Sequence, residues 1–271
     1  MRKPNFLIIG CQKSGTTALV KYLKQHPDIY MPDQEIHYFD QKHDLGDRWY
    51  CSHFTNCKEK MVGEKSPAYC YFKNIPQMIA ELNPNCKIII CVREPVARAY
   101  SEYKMLVLNG VEKREWENAY KHKHYLSRGH YAEQIKNVYK YFDKNQVMVI
   151  KSEELYHFRL PITQQVFQFL GVDSSFVPKN FNDIHQGGSV RWEWLNIITG
   201  KLIKVRWFVI ENKNLLFLDS LITIAIQILK QVNKKHGYKP MSKAMRDKLQ
   251  EYYKPLNREL EKLVGITWEY E

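Results

Sequence analysis

Asn5-Phe-Leu-Ile-Ile-Gly10, then Cys-Gln-Lys13-Ser14-Gly15-Thr16-Thr17, then Ala18-Leu-Val-Lys-Tyr-Leu23, is the stretch that decides the fold. Phe6 to Ile9 are four apolar residues in a row, the pattern of a short strand buried on both faces. Ala18, Leu19, Tyr22 and Leu23 recur at helical spacing, and His26-Pro27 ends that helix. The segment between them holds two glycines, a lysine and hydroxyl side chains. A strand, a glycine-bearing loop and a helix start point backbone N–H groups and the positive end of a dipole at one spot. Such a spot suits a phosphate or sulfate. A plain glycine turn with an exposed lysine is the alternative, and the crowding of Lys13, Ser14, Thr16 and Thr17 at one helix start weighs against it.

Gly10 and Gly15 keep the glycine spacing of the ATP- and GTP-binding loop G-x-x-x-x-G-K-[ST], but Thr16 stands where that loop has lysine. The lysine has moved inside, to Lys13. In the nucleotide loop the lysine reaches the outer phosphates and the next hydroxyl holds magnesium. The altered loop predicts a shorter anionic group, with lysine directly on it and no metal.

Further along, Asp28 to Pro32 reads as a short extended stretch, and residues 41–60 as a loop anchored by Trp49 and Phe54. Met61-Val-Gly63, Lys87 to Val92 and Gln146 to Ile150 read as strands. Ile75 to Leu82, Pro95 to about Leu108, and a helix carrying Ile135, Val138, Tyr139 and Phe142 separate them. Residues 112–126 are polar and read as helical; nothing completes a metal set with His122, His124 and the nearby His130, so they read as an exposed basic segment. Strands alternating with helices predict an α/β fold, three layers around a central parallel sheet, with ligands at the carboxyl ends of the strands. The tail, from Pro240 to Leu263, reads as a long helix behind a capping Ser242.

At 271 residues the chain is read as a single domain over 1–271, with 190–235 as an apolar helical insert or lid. Asp219 interrupts the apolar run, leaving ten uncharged residues before Lys230, too few to cross a membrane, where about 20 are needed. No transmembrane segment is expected, and peripheral membrane contact is the lesser alternative for this region. A net charge of +12 suggests attraction to anions, be it a polyanionic nucleotide, an acidic sugar, a membrane or nucleic acid, with a plain lysine-rich solvated surface as the alternative. The six cysteines form no C-x-x-C pair, which argues against both a disulfide framework and a metal site. Leu7 to Cys11 superficially resembles a lipoprotein cleavage site, but a secretory signal needs an apolar run of roughly 7–15 residues. The expected location is cytoplasmic.

The opening stretch resembles the 5′-phosphosulfate loop of sulfotransferases that use 3′-phosphoadenosine-5′-phosphosulfate (PAPS). Cys91-Val-Arg93-Glu-Pro95-Val-Ala-Arg98-Ala-Tyr100-Ser101 is similar to the family's 3′-phosphate site. Glu64-Lys65-Ser66-Pro67-Ala68-Tyr69 and Glu35-Ile-His37-Tyr-Phe39 resemble the heparan-sulfate-type branch, that of the 3-O- and N-sulfotransferases. The likeness covers nearly the whole chain and is thinnest between about residues 190 and 235.

The resemblance implies a P-loop-like sulfotransferase that moves a sulfuryl group from PAPS, by in-line displacement, to a hydroxyl or amine, leaving 3′-phosphoadenosine-5′-phosphate (PAP). The acceptor expected is a sugar or other polar small molecule, anionic by the lean of the basic surface, and not a nucleic acid. Cofactor contacts fall to Lys13, Ser14, Gly15, Thr16, Thr17 and Ala18 for the 5′ side, and to Arg93 and Ser101 for the 3′-phosphate. Lys13 and Lys65 are placed to stabilise the leaving oxygen. Glu35 is the general base, its pKa expected to be raised by partial burial, and His37 positions it or the acceptor. A solvated Lys65 paired with Glu64 is the plain alternative. Arg128, Gly129 and Tyr131 resemble a stretch lying against the nucleotide. The loop closing over the nucleotide is matched loosely by Gly187 to Arg191 and by Lys234 to Tyr238, with Arg191 preferred. The rivals are a small-molecule kinase and a non-catalytic binder of polyanions or membranes.

Overall fold

The computed structural model describes residues 1–181, 188–190, 193–211, 217–236 and 240–269. In chain order the elements begin with β1 (Phe6–Gly10), α1 (Thr16–Leu23), β2 (Ile29–Tyr30), α2 (Tyr38–Gln41), α3 (Gly46–Ser52) and β3 (Met61–Lys65). Next come α4 (Ile75–Leu82), β4 (Lys87–Val92), α5 (Pro95–Leu108), α6 (Trp116–Ala119), α7 (Lys123–Ser127), α8 (Tyr131–Val138) and β5 (Val147–Lys151). The remainder is α9 (Ser152–His157), α10 (Arg159–Leu170), β6 (Gly188–Val190), α11 (Glu193–Glu211), α12 (Asp219–Asn233), β7 (Lys234–His236) and α13 (Lys243–Val264). They fall into two compact units, one of Met1–Arg98, Ser127–Ile184 and Lys248–Glu271, the other of Ala99–Leu126 and His185–Asp247.

The first unit is built on a five-stranded sheet in the order β2-β3-β1-β4-β5, every neighbouring pair parallel. Its central strands read as unbroken apolar runs because both faces are covered. Leu7, Ile9, Ile88 and Ile90 join one core cluster with residues of α4 and α8. Their neighbours Phe6, Ile8, Ile89 and Cys91 join the other with residues of α1 and α10. Alternation along the strand thus feeds two cores, which gives the three layers expected. The chain leaves β1 for β2 and β3 on one side and returns to β4 on the other. This reversal of strand order puts the crevice where ligands bind at the carboxyl ends of β1 and β4.

Gly63 is required by packing: a Cβ built there would stand 2.3 Å from the Phe6 carbonyl oxygen across the β1–β3 pairing. All six cysteines are free thiols.

Residues 41–60 are not a plain loop, as expected, but include the helix α3. Its pattern was hard to read because the helix is short and held by aromatic contacts rather than by a periodic stripe. Tyr50 stacks on Tyr38 with ring centroids 4.4 Å apart and 7° between planes, and meets Phe39 edge-on.

In the second unit, residues 112–126 depart from the exposed segment expected. Trp116, Ala119 and Tyr125 are buried, and Trp116 packs against Tyr100, Tyr103 and Tyr125. Arg114 donates to both oxygens of Glu112 at 2.9 and 2.7 Å, which holds that carboxyl down at about 2. The apolar stretch forms a helix pair, in which Arg206 of α11 meets Asp219 of α12 at 2.7 Å. The two segments weighed for closing over a nucleotide prove to be partners: β6 and β7 pair antiparallel, Gly188 opposite His236. Arg191 itself lies outside the described residues, as do Gly187, Gly237 and Tyr238.

Candidate active site

The loop after β1 bends through two residues with left-handed backbone, Lys13 (φ 68°) and Gly15 (φ 80°). Gly15 is the N-cap of α1, whose first-turn N–H groups, those of Thr16 and Thr17 among them, have no carbonyl four residues back to donate to within the helix. Ser14 is fully buried, and its hydroxyl has no hydrogen-bond partner among the described residues. A buried orphan hydroxyl at a helix start is a group that an anion's oxygen would satisfy. Ala18 continues the helix, its N–H bonded to the Gly15 carbonyl at 3.0 Å.

Arg93 follows β4, the neighbour of β1, and donates to the Lys13 carbonyl at 3.3 Å. The Arg93 carbonyl in turn accepts from the buried Tyr131 hydroxyl at 2.9 Å. Glu94 does what an N-terminal carboxylate does best: it accepts from the Val96 and Ala97 N–H groups at the start of α5. Arg128 donates to Gln12 in the loop and lies 4.9 Å over the Tyr71 ring. Ser101 stands on α5 and belongs to the second unit.

The third contributor is the end of β3, where neighbouring side chains diverge. Glu64 turns into the core and is fully buried, accepting from Tyr50 at 3.0 Å, Tyr69 and Ser66 at 2.9 Å, and the Ile36 N–H at 3.3 Å. Burial raises its pKa, and those four donors oppose the rise. Lys65 points the other way, and the plain alternative of a pair with Glu64 is not what it forms. Its Nζ lies 2.6 Å from Glu35 Oε1 and 3.3 Å from Thr17 Oγ1. One ammonium thus ties the helix start after β1 to the carboxylate read as the base.

Glu35 and His37 are held in place by the same strand end. The Ile36 N–H reaches Glu64 and the His37 N–H reaches Ser66 Oγ at 3.3 Å. His37 adopts a left-handed backbone (φ 57°) at the N-cap of α2, a strained choice for a residue with a side chain and one found at functional sites. Its Nε2 lies 3.2 Å from Glu35 Oε2, and its Nδ1 lies 3.1 Å from both Asp40 oxygens.

The electrostatics correct one expectation. Burial is the largest influence on Glu35 and pushes its pKa up, but the hydrogen bonds from His37 and Lys65 together outweigh it. The carboxyl therefore sits below its ordinary value, ionised at neutral pH. His37 is pushed up to about 9, first by Asp40 and then by Glu35, against the effect of burial. At neutral pH the site is a carboxylate between two cations, with Asp40 behind the imidazolium.

Asp40, Gln12 and Arg128 have contacts that the sequence did not announce. Asp40 was findable, because an acid three residues after His37 on the first turn of a helix faces back towards it. The Gln12–Arg128 contact joins residues far apart in the chain and left no local signal.

Residues 3–190 match the sulfotransferase domain family. The human heparan sulfate glucosamine 3-O-sulfotransferase 5 is 32% identical over 189 residues, which cover 62% of this chain and 54% of that protein. The mouse heparan sulfate glucosamine 3-O-sulfotransferase 6 is 30% identical over 191 residues, 66% of this chain and 56% of that one. The chain thus spans about half the length of the curated relatives it matches. In solved structures, a sulfotransferase from Alicyclobacillus acidocaldarius superposes with a TM-score of 0.73 at 24% identity, over 99% of this chain and 98% of that one. The sulfotransferase domain from the curacin biosynthetic pathway gives 0.51 at 18% identity, over 68% of this chain and 82% of that one. These likenesses agree with the α/β architecture seen here.

Proposed function

Since residues 3–190 carry its domain, the chain belongs to the sulfotransferase domain family, and we propose that it transfers a sulfuryl group from PAPS to a hydroxyl or amine of a carbohydrate or other polar small molecule. The observation that carries this reading is the position of Lys65, within reach of both Thr17 and Glu35. A group that must sit between a donor cradle and a proton acceptor is placed where sulfuryl transfer needs positive charge.

PAPS, when bound, supplies a sulfuryl group activated by its 5′-phosphate. The buried Ser14 hydroxyl and the N–H groups opening α1 fit the phosphate end of that donor. Lys13 sits in the same loop and adds its charge there. Arg93 is the residue we assign to the 3′-phosphate, its guanidinium braced by the Lys13 carbonyl. Glu35, ionised and 2.6 Å from Lys65, takes the proton from the acceptor. His37, held charged by Asp40, fixes the second Glu35 oxygen and offers a cation to an acceptor bearing negative charge. The carbohydrate acceptor rests on the names of the relatives, and its anionic character on the net charge of +12.

Calorimetric titration with PAP, set against ATP and adenosine-5′-phosphosulfate without magnesium, tests the reading. Tight binding that needs the 3′-phosphate and collapses in Arg93→Ala is expected. Preference for magnesium–ATP would overturn it in favour of a kinase.

A further inference from the structure

The second unit carries an apolar face that the proposed chemistry leaves unused. On α12, Leu221, Ile224, Ile228 and Val232 are each more than half exposed, and Phe217, just before the helix, is 72% exposed. Their intervals of three and four residues set them along one side of α12, whereas Ile226 and Asn233 are buried on another. Single exposed apolar residues are ordinary, but a row of five is a surface that something covers. Among the described residues, no helix is long and apolar enough to cross a membrane.

The charge of the region says what covers it. Residues 190–239 contain nine lysines and arginines against three acidic residues. One of those acids, Asp219, is already paired with Arg206. A second copy of the chain would bring the same excess of positive charge to the contact, which opposes association. An anionic lipid surface accepts both features at once: apolar side chains enter the headgroup boundary while lysines and arginines meet the phosphates. We propose that the α11–α12 pair is a peripheral docking surface for anionic membrane, with the Phe217–Val232 stripe of α12 as its inserting face. This inference is independent of the reaction assigned to the first unit.

The test is co-sedimentation of the full chain with vesicles of phosphatidylcholine alone and of equal parts phosphatidylcholine and phosphatidylglycerol. The chain is expected to pellet with the anionic vesicles and not with the neutral ones, and added salt should release it. Replacing Leu221, Ile224 and Ile228 together by glutamine should weaken the association by about a thousandfold or more, since three aliphatic side chains are removed from the inserting face. The single variant Ile228→Gln, checked by an unchanged thermal unfolding midpoint, serves should the triple variant fold poorly, and weaker pelleting is expected of it too. The proposal is overturned if the unmodified chain does not pellet with anionic vesicles. It is equally overturned if the variants pellet as well as the unmodified chain. A dimer in light scattering that the variants dissolve, with no vesicle binding, would assign the stripe to a second copy instead.

Discussion

Lys65 Nζ and Glu35 Oε1 lie 2.6 Å apart, so a cation at the end of a strand helps His37 to lower the pKa of a carboxylate on a separate loop. Burial alone would raise the Glu35 pKa, and Lys65 is one of the two groups that reverse it. Lys65→Met should therefore let the Glu35 pKa rise. The acid limb of the pH–rate profile moves to higher pH and the rate at neutral pH falls. An unmoved acid limb would show that Glu35 is not the titrating base.

Glu35→Gln keeps the shape and the contacts of the side chain but removes the proton acceptor. A loss of about 10²–10⁴ in kcat is expected for a general base, with PAP affinity unchanged in calorimetry. Equal losses in turnover and PAP binding would mean that Glu35 serves the donor site and not the acceptor.

His37 gives the fold itself a pH dependence. Its pKa rises on folding from the ordinary 6.5 to about 9, through Asp40 first and Glu35 second. A raised folded-state value means the stabilisation is complete below the unfolded value and disappears as pH climbs through the folded one. Urea unfolding across the interval from 6.5 to about 9 should show stability falling with pH, and His37→Gln should flatten that slope. A slope identical in both proteins would assign it to other groups.

Glu64 is a structural group next door to a functional one. Glu64→Ala strips the hydroxyls of Tyr50 and Tyr69 of a buried acceptor and frees the backbone that holds Glu35 and His37. Destabilisation of about 2–4 kcal/mol is expected in urea unfolding. Glu64→Gln, which keeps an acceptor oxygen, should lose less. A neutral Glu64→Ala would mean that water replaces the carboxylate without cost.

Gly15→Ala tests the donor loop. At φ 80° an added Cβ costs about 1 kcal/mol, and it would also stand 3.2 Å from Ser152 Oγ. The expected outcome is a small loss of stability and a larger loss of PAP affinity, read by thermal unfolding and calorimetry. Unaltered PAP affinity would place the nucleotide elsewhere.

The sheet and the donor loop were legible because their signals are local. Phe6 to Ile9 and Lys87 to Val92 are unbroken apolar runs, and the glycines and hydroxyls of residues 10–17 sit together in sequence. Glu35 and His37 were singled out by resemblance, and the structure puts Glu35 beside both His37 and Lys65. What stayed hidden depends on contacts between distant stretches. Nothing near Glu64 in sequence says that Tyr50 will reach it, so its buried role is invisible there. The direction of the Glu35 pKa failed because burial was weighed without the opposing hydrogen bonds from His37 and Lys65. The helix α3 was missed because seven residues cannot display a helical period convincingly.

The donor loop, Lys65 and Arg93 all hang on the ends of β1, β3 and β4, three adjacent strands of one rigid sheet. The residues that the proposed function assigns to the donor are therefore mounted like a tool head on a fixed frame. The segment from Tyr38 to Ser52 is a separate piece of chain, tied to that frame by the edge-on contact of Phe39 with Tyr69 and by the Tyr50 hydroxyl, which donates to Glu64 of β3. Change in the outward side chains of that segment leaves the strand ends that carry Lys65 and Arg93 untouched.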